Sequence, residues 1–110
     1  MSAQQSLPLS HYDLQMVLLP GAENKPVEGI RITVYGENFP MRALQPEILV
    51  GEQQAQMVEV SQDQRSIRGY LLRTPENGAV IRVRYGPSQE GELREGFDAK
   101  RIRPLPEGCR

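Results

Sequence analysis

An alternating run that ends in a glycine turn constrains the fold of this chain more than any other feature. Ile30, Ile32 and Val34 are apolar, and the residues between them suit an outward face. This period of two is typical of a half-buried β-strand. The run continues directly into residues 36–39, Gly-Glu-Asn-Phe, where we expect a tight turn with Phe39 buried as an aromatic plug. The pattern points to a small β-sandwich.

The same pattern recurs along the chain, with Gly or Pro about every ten residues and no extended run of apolar residues at helical spacing. The predicted strands cover residues 12–18, 30–35, 47–50, 55–61, 65–73, 79–85 and 97–103. Their predicted inward side chains are Tyr12, Leu14, Met16, Leu18, Ile30, Ile32, Val34, Val58, Val60, Ile67, Leu71, Ile81, Val83 and Tyr85. Residues 86–96 are predicted to form a long charged loop. We therefore predict an all-β, antiparallel two-sheet sandwich of about seven strands.

A chain of 110 residues has the size of one domain. We predict a flexible leader at residues 1–10, the sandwich at 11–103 and a tail at 104–110. The one cysteine, Cys109, excludes an intramolecular disulfide framework. Residues 1–10 do not have the composition of a signal peptide, and the longest apolar run, 16–19, is too short to span a bilayer. The sequence therefore predicts a cytoplasmic protein without a membrane partner.

No constellation of residues points to catalysis. His11 is the one histidine, and it lies in a segment that we expect to fray, without a positioned partner for a general base. Zinc needs three or four ligands, which one histidine and one cysteine do not supply. The acids of residues 90–98 could form a calcium loop, but Arg94 lies among them. We predict no cofactor, no metal and no enzymatic activity.

The best candidate for a functional surface is a cluster of arginines. Residues 65–84 contain five arginines and one acid, in a protein whose net charge is −1. Guanidinium groups bind carboxylates and phosphates through paired hydrogen bonds. The candidate binding residues are Arg68, Tyr70, Arg73, Arg82 and Arg84. Arg82 and Arg84 share the outward face of their predicted strand, so we expect a partner to bind there, with the other three residues joining that face.

A second interpretation of these arginines is structural. Outward strand positions carry charges that protect sheet faces and edges. Glu47, Glu59 and Glu95 are available as cross-strand partners for the arginines. The sequence leaves both interpretations open.

Several segments together resemble a known family. Pro20-Gly21, Gly29 and residues 32–39, Ile-Thr-Val-Tyr-Gly-Glu-Asn-Phe, are similar to the first half of an IPT/TIG domain. Its later part is matched by residues 48–51, Ala55, residues 60–61, Ile67, residues 74–75, Gly78 and Val83. The resemblance covers residues 18–86. Glu28 stands where the family has a second glycine, and residues 87–103 are more charged than the family's last strand.

The resemblance implies an immunoglobulin-like fold and a role in binding. Such domains are accessory or interaction modules in cell-surface receptors, in polysaccharide-processing enzymes and in transcription factors that dimerise. We therefore expect a non-enzymatic binding or assembly module whose partner is a protein, with nucleic acid or an acidic polysaccharide as further candidates. The alternative function is a nucleic-acid-associated protein that uses the arginine-rich strand face, and its binding should weaken steeply as salt rises.

Overall fold

The computed structural model describes residues 5–6, 8–37, 39, 46–85 and 89–105. Within these residues the chain forms ten β-strands and two short 3-10 turns. The strands are β1 (Gln5–Ser6), β2 (Leu9–Leu19), β3 (Val27–Gly36), β4 (Pro46–Val50), β5 (Gln53–Gln54), β6 (Gln56–Val60), β7 (Ser66–Leu71), β8 (Ile81–Tyr85), β9 (Gln89–Glu92) and β10 (Ile102–Arg103). The 3-10 turns are Ala22–Asn24 and Ala99–Arg101. Asn38 of the predicted glycine turn and Cys109 lie outside the described residues.

The strands form two five-stranded sheets that pack face to face. Sheet 1 has the order β1-β9-β8-β4-β5, and sheet 2 has the order β10-β2-β3-β7-β6. Seven of the described strands have four or more residues. Their arrangement, β2-β3-β7-β6 against β9-β8-β4, is the A-B-E-D and G-F-C order of a constant-type immunoglobulin sandwich. The predicted all-β sandwich is confirmed.

Two of the strand pairings are parallel, whereas the sequence predicted only antiparallel ones. The strand β1 pairs with β9, and β10 pairs with β2, over two residues each. Both short strands belong to segments that cross from one sheet to the other. The chain leaves sheet 1 at β1 to enter sheet 2 at β2, and leaves sheet 1 at β9 to reach the edge of sheet 2 at β10. In each case the segment that crosses between the sheets runs parallel to the strand with which it pairs.

The last part of the sandwich differs most from the sequence prediction. The predicted loop at 86–96 contains the strand β9. Of the predicted strand at 97–103, only the last two residues form a strand, β10, which follows the 3-10 turn Ala99–Arg101. The strand β9 lies between β1 and β8 in sheet 1 and turns only Gly91 into the interior, so it has no apolar alternation to reveal it. The Asp98 carboxylate accepts a hydrogen bond from the Lys100 backbone N–H and stabilises the turn.

The strand β2 begins earlier and ends differently from the prediction. It starts at Leu9, within the predicted leader, and pairs with β3 along its whole length. Leu18 was expected to face inward but is 42% exposed, because it lies at the end of the strand beyond the core. Leu19 is buried instead, since it covers Gly29 on the outer side of sheet 2, where a Cβ atom would lie 2.4 Å from Leu19 Cδ1.

The interior between the sheets is apolar and contains the predicted plug. The buried cluster comprises Tyr12, Leu14, Ile30, Ile32, Val34, Phe39, Ile48, Val50, Ala55, Ile67, Leu71, Ile81, Val83, Tyr85, Leu93 and Phe97. Phe39 has no exposed surface, and its ring stacks at 6.4 Å on Tyr85 of β8. The Gln64 side-chain amide donates a hydrogen bond to the Phe39 carbonyl. Gly36 is required here, since a Cβ atom would lie 2.4 Å from the Pro8 carbonyl oxygen.

The strand β6 packs on the core through half-buried valines and a close backbone contact. Val58 and Val60 lie against the buried cluster, as predicted for inward residues of this strand. Gly69 of β7 approaches Ala55 and Val58 so closely that a Cβ atom would lie 2.9 Å from Ala55 Cβ. This is the close backbone approach for which a glycine inside a strand is typical.

Candidate interaction surface

The predicted arginine cluster is divided between the two sheets. Arg82 and Arg84 lie on β8 of sheet 1, whereas Arg68 and Tyr70 lie on β7 of sheet 2. Because β7 and β8 follow each other in sequence but belong to different sheets, their outward side chains point away from each other. The structure therefore does not form the single joined face that the sequence predicted.

The outer face of sheet 1 carries arginines that are already paired with acids. Arg84 Nε lies 3.3 Å from Glu47 Oε1 on β4, and Arg82 Nη1 lies 3.7 Å from Glu90 Oε1 on β9. Glu92 is the cross-strand neighbour of Arg82. Three glutamates thus surround two arginines, and the face has little charge left for a ligand. The Arg84–Glu47 pair is one that the structural interpretation predicted, whereas Arg82 pairs with Glu90 and the expected partner Glu95 pairs with Arg101.

The outer face of sheet 2 contains a groove of about 580 Å³ with two arginines on neighbouring strands. Its lining residues are Arg31, Thr33, Tyr35, Glu59, Val60, Ser61, Gln62, Ser66 and Arg68. We call it the arginine groove. Arg68 Nη2 lies 3.2 Å from Glu59 Oε2, and both side chains are well exposed. Arg31 makes no ion pair with any residue in the described part of the chain.

An aromatic pair lies beside the arginine groove. The rings of Tyr35 and His11 stack with centroids 4.4 Å apart and an interplanar angle of 11°. The Ser10 hydroxyl lies 2.8 Å from His11 Nδ1 and also donates to the Tyr35 carbonyl. These contacts hold the Tyr35 ring in place, so the groove has one aromatic wall of defined orientation.

A second groove of about 420 Å³ continues from the first on the same side of sheet 2. Its lining is mostly apolar and comprises Val17, Leu18, Leu19, Pro20, Met57, Glu59, Arg68 and Tyr70. We call it the apolar groove. Glu59 and Arg68 line both grooves. The two grooves are therefore parts of one surface, basic at one end and apolar at the other.

Arg73 lies apart from both grooves. Its backbone N–H donates to Gln53 Oε1, and Gln53 Nε2 donates back to the Arg73 carbonyl. It lines a polar cleft of about 800 Å³ between the β4–β5 turn and the segment that leads into β8, together with Glu52 and Glu76. A cation between two acids is a poor anion site, so this cleft adds little to the arginine surface.

The described residues do not assemble a metal site. Among them, no cluster of three or more His, Cys, Asp or Glu side chains is placed to hold a metal ion. Three of the acids in residues 90–98 make other contacts: Glu90 pairs with Arg82, Glu95 Oε2 lies 2.6 Å from Arg101 Nη1, and Asp98 caps a turn. No helix in the described ranges is long and apolar enough to cross a membrane.

Among the residues that the structure describes, a pKa shift is resolved for three side chains, and none of the three lines either groove on sheet 2. Burial raises the pKa of Tyr85 to about 12. Hydrogen bonds from the Ser61 hydroxyl and the Arg65 backbone N–H lower the pKa of Asp63. The Tyr12 side chain, over whose ring Arg101 lies at 4.5 Å, raises the pKa of that guanidinium with help from Glu95. The shifts are explained by folding contacts alone.

Comparison with known proteins adds no family to this description. No family model, curated protein or solved structure matches the chain.

Sequence reasoning did not name Arg31, Tyr35 or Met57 as candidate binding residues. The outward parity of Arg31 and Tyr35 on β3 was visible in the sequence. Their position next to Arg68 depends on the pairing of β3 with β7, in which Thr33 opposes Arg68 and Arg31 opposes Tyr70.

Proposed function

We propose that this chain is a non-enzymatic binding module of immunoglobulin-like fold that recognises a protein partner through carboxylates on the partner's surface. The binding surface is the outer face of sheet 2, with Arg31 and Arg68 as its cationic groups. The observation that carries the proposal is the contrast in pairing. Arg31 lies in a groove without an acidic partner among the described residues, whereas Arg82 and Arg84 are held by glutamates.

The energetics of the groove favour exchange of partners at Arg68. Its ion pair with Glu59 joins two exposed side chains, and such pairs contribute only about 0–1 kcal/mol. A ligand carboxylate can displace Glu59 at little cost and can bind Arg31 at the same time. Two guanidinium groups on adjacent strands supply paired hydrogen bonds of fixed geometry, which favour a carboxylate over a simple halide ion.

The proposal that the module is of the IPT/TIG kind rests on the residues that carry the resemblance. Gly36 and Phe39 pack against each other, and the segment 32–39 leads from β3 into the plug. The strand order agrees with an immunoglobulin-like fold. Fold alone does not specify a partner, so the partner's chemistry is argued from the arginine groove. The cytoplasmic location stays an expectation from the sequence.

Two matched double variants test the proposed surface. Arg31→Gln with Arg68→Gln and Arg82→Gln with Arg84→Gln remove the same charge from opposite sheets. The probe is a fluorescent hexaglutamate peptide, and its binding is measured by anisotropy. We expect the first double variant to weaken binding about tenfold, as loss of one or two charge-assisted hydrogen bonds would. We expect the second to bind as the unchanged protein does. Equal losses in both variants, or no loss in the first, would contradict the proposal.

One observation keeps nucleic acid as the alternative partner. Tyr35 and Tyr70 lie on the same face as Arg31 and Arg68, and aromatic rings beside arginines suit unstacked bases. The acids on that face, Asp13 and Glu59, are paired with Arg103 and Arg68 respectively and repel phosphates and carboxylates alike, so the charge of the face does not separate the two partners. A labelled oligothymidylate separates the two. Binding to it that exceeds binding to hexaglutamate and falls steeply with salt would favour the alternative.

A further inference from the structure

Met57 has a backbone conformation that its side chain does not favour. It lies in β6 with φ +53°, at a register shift between Gln56 and Glu59 where the pairing with β7 is interrupted. Such a β-bulge commonly has glycine at its left-handed position, because a side chain there is strained. The other described non-glycine residues with positive φ are Glu23, Asn24 and Gln64, and all of them lie in turns rather than in a strand.

The Met57 side chain gains no burial in return for this strain. It is 60% exposed, more than any other exposed large hydrophobic residue among those described. Met57 lines the apolar groove, with Val17 and Tyr70 among the other lining residues. Strained backbone positions are concentrated at sites of function, where the surrounding structure maintains them. The strain at Met57 therefore calls for a role outside the folding of the isolated chain.

We propose that the apolar groove is a docking site for a large apolar side chain on the partner, carried next to the carboxylates that bind Arg31 and Arg68. Met57 is the anchor of this site. The inference rests on the proposed function and specifies the partner's chemistry as an acidic segment with an apolar residue, rather than a uniformly acidic surface.

Charge complementarity supports this occupant. Arg68 lines both grooves, so a segment whose apolar side chain lies against Met57 brings neighbouring carboxylates to Arg68 and onward to Arg31. Leu19, buried over Gly29, belongs to the apolar lining. The methionine thioether is unbranched and adapts its shape to the side chain it meets. One segment can therefore satisfy both grooves at once.

The bulge also argues against a different mode of binding at this edge. The strand β6 is the edge strand of sheet 2, and a regular edge could accept an added strand from a partner. The interruption at Met57 breaks the regular row of backbone donors and acceptors. A partner at this edge is therefore recognised through side chains rather than through added backbone pairing. A site for one apolar anchor requires recognition of that kind.

Two peptide probes and two variants of the full chain test the inference. The first peptide has one leucine between two pairs of glutamates, and the second has serine in place of that leucine. Binding is followed by the NMR signals of 13C-labelled methionine methyl groups. We expect the leucine peptide to bind the unchanged protein about five- to tenfold more tightly than the serine peptide, as burial of one apolar side chain predicts. The Met57 methyl signal should shift with the leucine peptide.

The variant Met57→Gly should remove this preference and leave the fold intact. We expect its thermal midpoint to be no lower than that of the unchanged protein, since glycine relieves the left-handed strain. Binding of both peptides to this variant is read from backbone amide signals. Leu72→Ala is the matched control, because Leu72 is exposed and lines neither groove. It should keep the full preference for leucine.

The outcomes separate this inference from the proposed function. If both peptides bind equally and depend on Arg31 and Arg68, the apolar site is refuted and the basic surface stands. If neither peptide binds, both proposals fail. If Met57→Gly retains the leucine preference, Met57 is not the anchor and the inference is overturned. A Met57→Gly protein that melts lower than the unchanged protein would show that the residue serves the fold, which also contradicts it.

Discussion

The two sheets of the sandwich differ in where their polar side chains find partners. Sheet 1 has paired arginines on its outer face, and sheet 2 has a hydrogen-bonded tyrosine hydroxyl on its inner face. On sheet 1 the outward arginines are paired with glutamates, but the inward Tyr85 hydroxyl has no hydrogen-bond partner among the described residues. On sheet 2 the inward Tyr12 hydroxyl donates to the Gly96 carbonyl at 2.9 Å, while Arg31 on the outside is unpaired within the described chain. The contrast teaches that similar outward arginines can belong to a structural face or to a surface open to a partner, depending on their cross-strand neighbours.

The contrast between the two outer faces exists only while the interior holds the two sheets together. Loss of the Phe39 side chain should destabilise that interior. Phe39 follows β3 of sheet 2 and stacks on Tyr85 of sheet 1 without any exposed surface. We expect Phe39→Ala to lower the free energy of unfolding by about 3–5 kcal/mol, as large core truncations do. Urea denaturation measures the loss. The exposed Leu72→Ala should change stability by less than about 1 kcal/mol. A loss under about 1 kcal/mol for Phe39→Ala would mean that the ring is not part of the core.

High pH should destabilise the sandwich through Tyr85 of sheet 1. Because burial raises the pKa of Tyr85 from 10 to about 12, the neutral phenol is favoured in the folded state. The contribution of the neutral Tyr85 phenol to the free energy of unfolding is fully present below pH 10 and is lost as pH rises from about 10 to 12. The loss approaches about 2–3 kcal/mol at the upper end.

The variant Tyr85→Phe checks this assignment. It removes a buried hydroxyl that lacks a partner in the described structure, so we expect unchanged or slightly higher stability at pH 7. Its stability should also fall less between pH 10 and pH 12 than that of the unchanged protein. Tyr12→Phe is the control in sheet 2 and should lose stability at pH 7, because it leaves the Gly96 carbonyl without its donor. An alkaline transition of full size in Tyr85→Phe would assign the effect to another group.

The smallest expected effect is a difference in coupling energy between one ion pair on each outer face. Double-mutant cycles with alanine should give a larger coupling for Arg84 with Glu47 than for Arg68 with Glu59. The first pair is less exposed and joins two hydrogen bonds from one guanidinium, whereas the second has one. We expect about 0.5–1 kcal/mol for the first and about 0.2–0.5 kcal/mol for the second. A reversed order would weaken the case that Arg68 is free to change partners.

Residue parity predicted which side chains face inward for most of the sandwich. The alternation in β3, β7 and β8 was enough to bury Ile32, Ile67 and Val83, and the glycine turn was enough to place Phe39. These assignments depend on local periodicity, which a short sequence window contains. The same windows gave no apolar signal for β9, whose sequence is Gln-Glu-Gly-Glu.

The composition of the candidate surface could not be predicted in the same way. Parity separates the inner from the outer face of a strand, but it does not say which sheet the strand joins. Arg68 and Arg82 were grouped because they are close in sequence, and the crossover between β7 and β8 separates them. Arg31 lies near Arg68 only through a pairing between strands that are far apart in sequence. The bulge at Met57 has no glycine to reveal it.

The parallel pairing of β10 with β2 has a mechanical consequence. Tension applied through the two ends of the sandwich would pull β2 and β10 in opposite directions along their shared axis. The contacts between the two strands would then be loaded in shear and would have to rupture together rather than one after another. These contacts are the two ladder pairs, the Asp13–Arg103 ion pair and the hydrogen bond from Gln15 to the Pro104 carbonyl. In force spectroscopy this clasp should raise the rupture force of the sandwich, and Arg103→Ala should lower it.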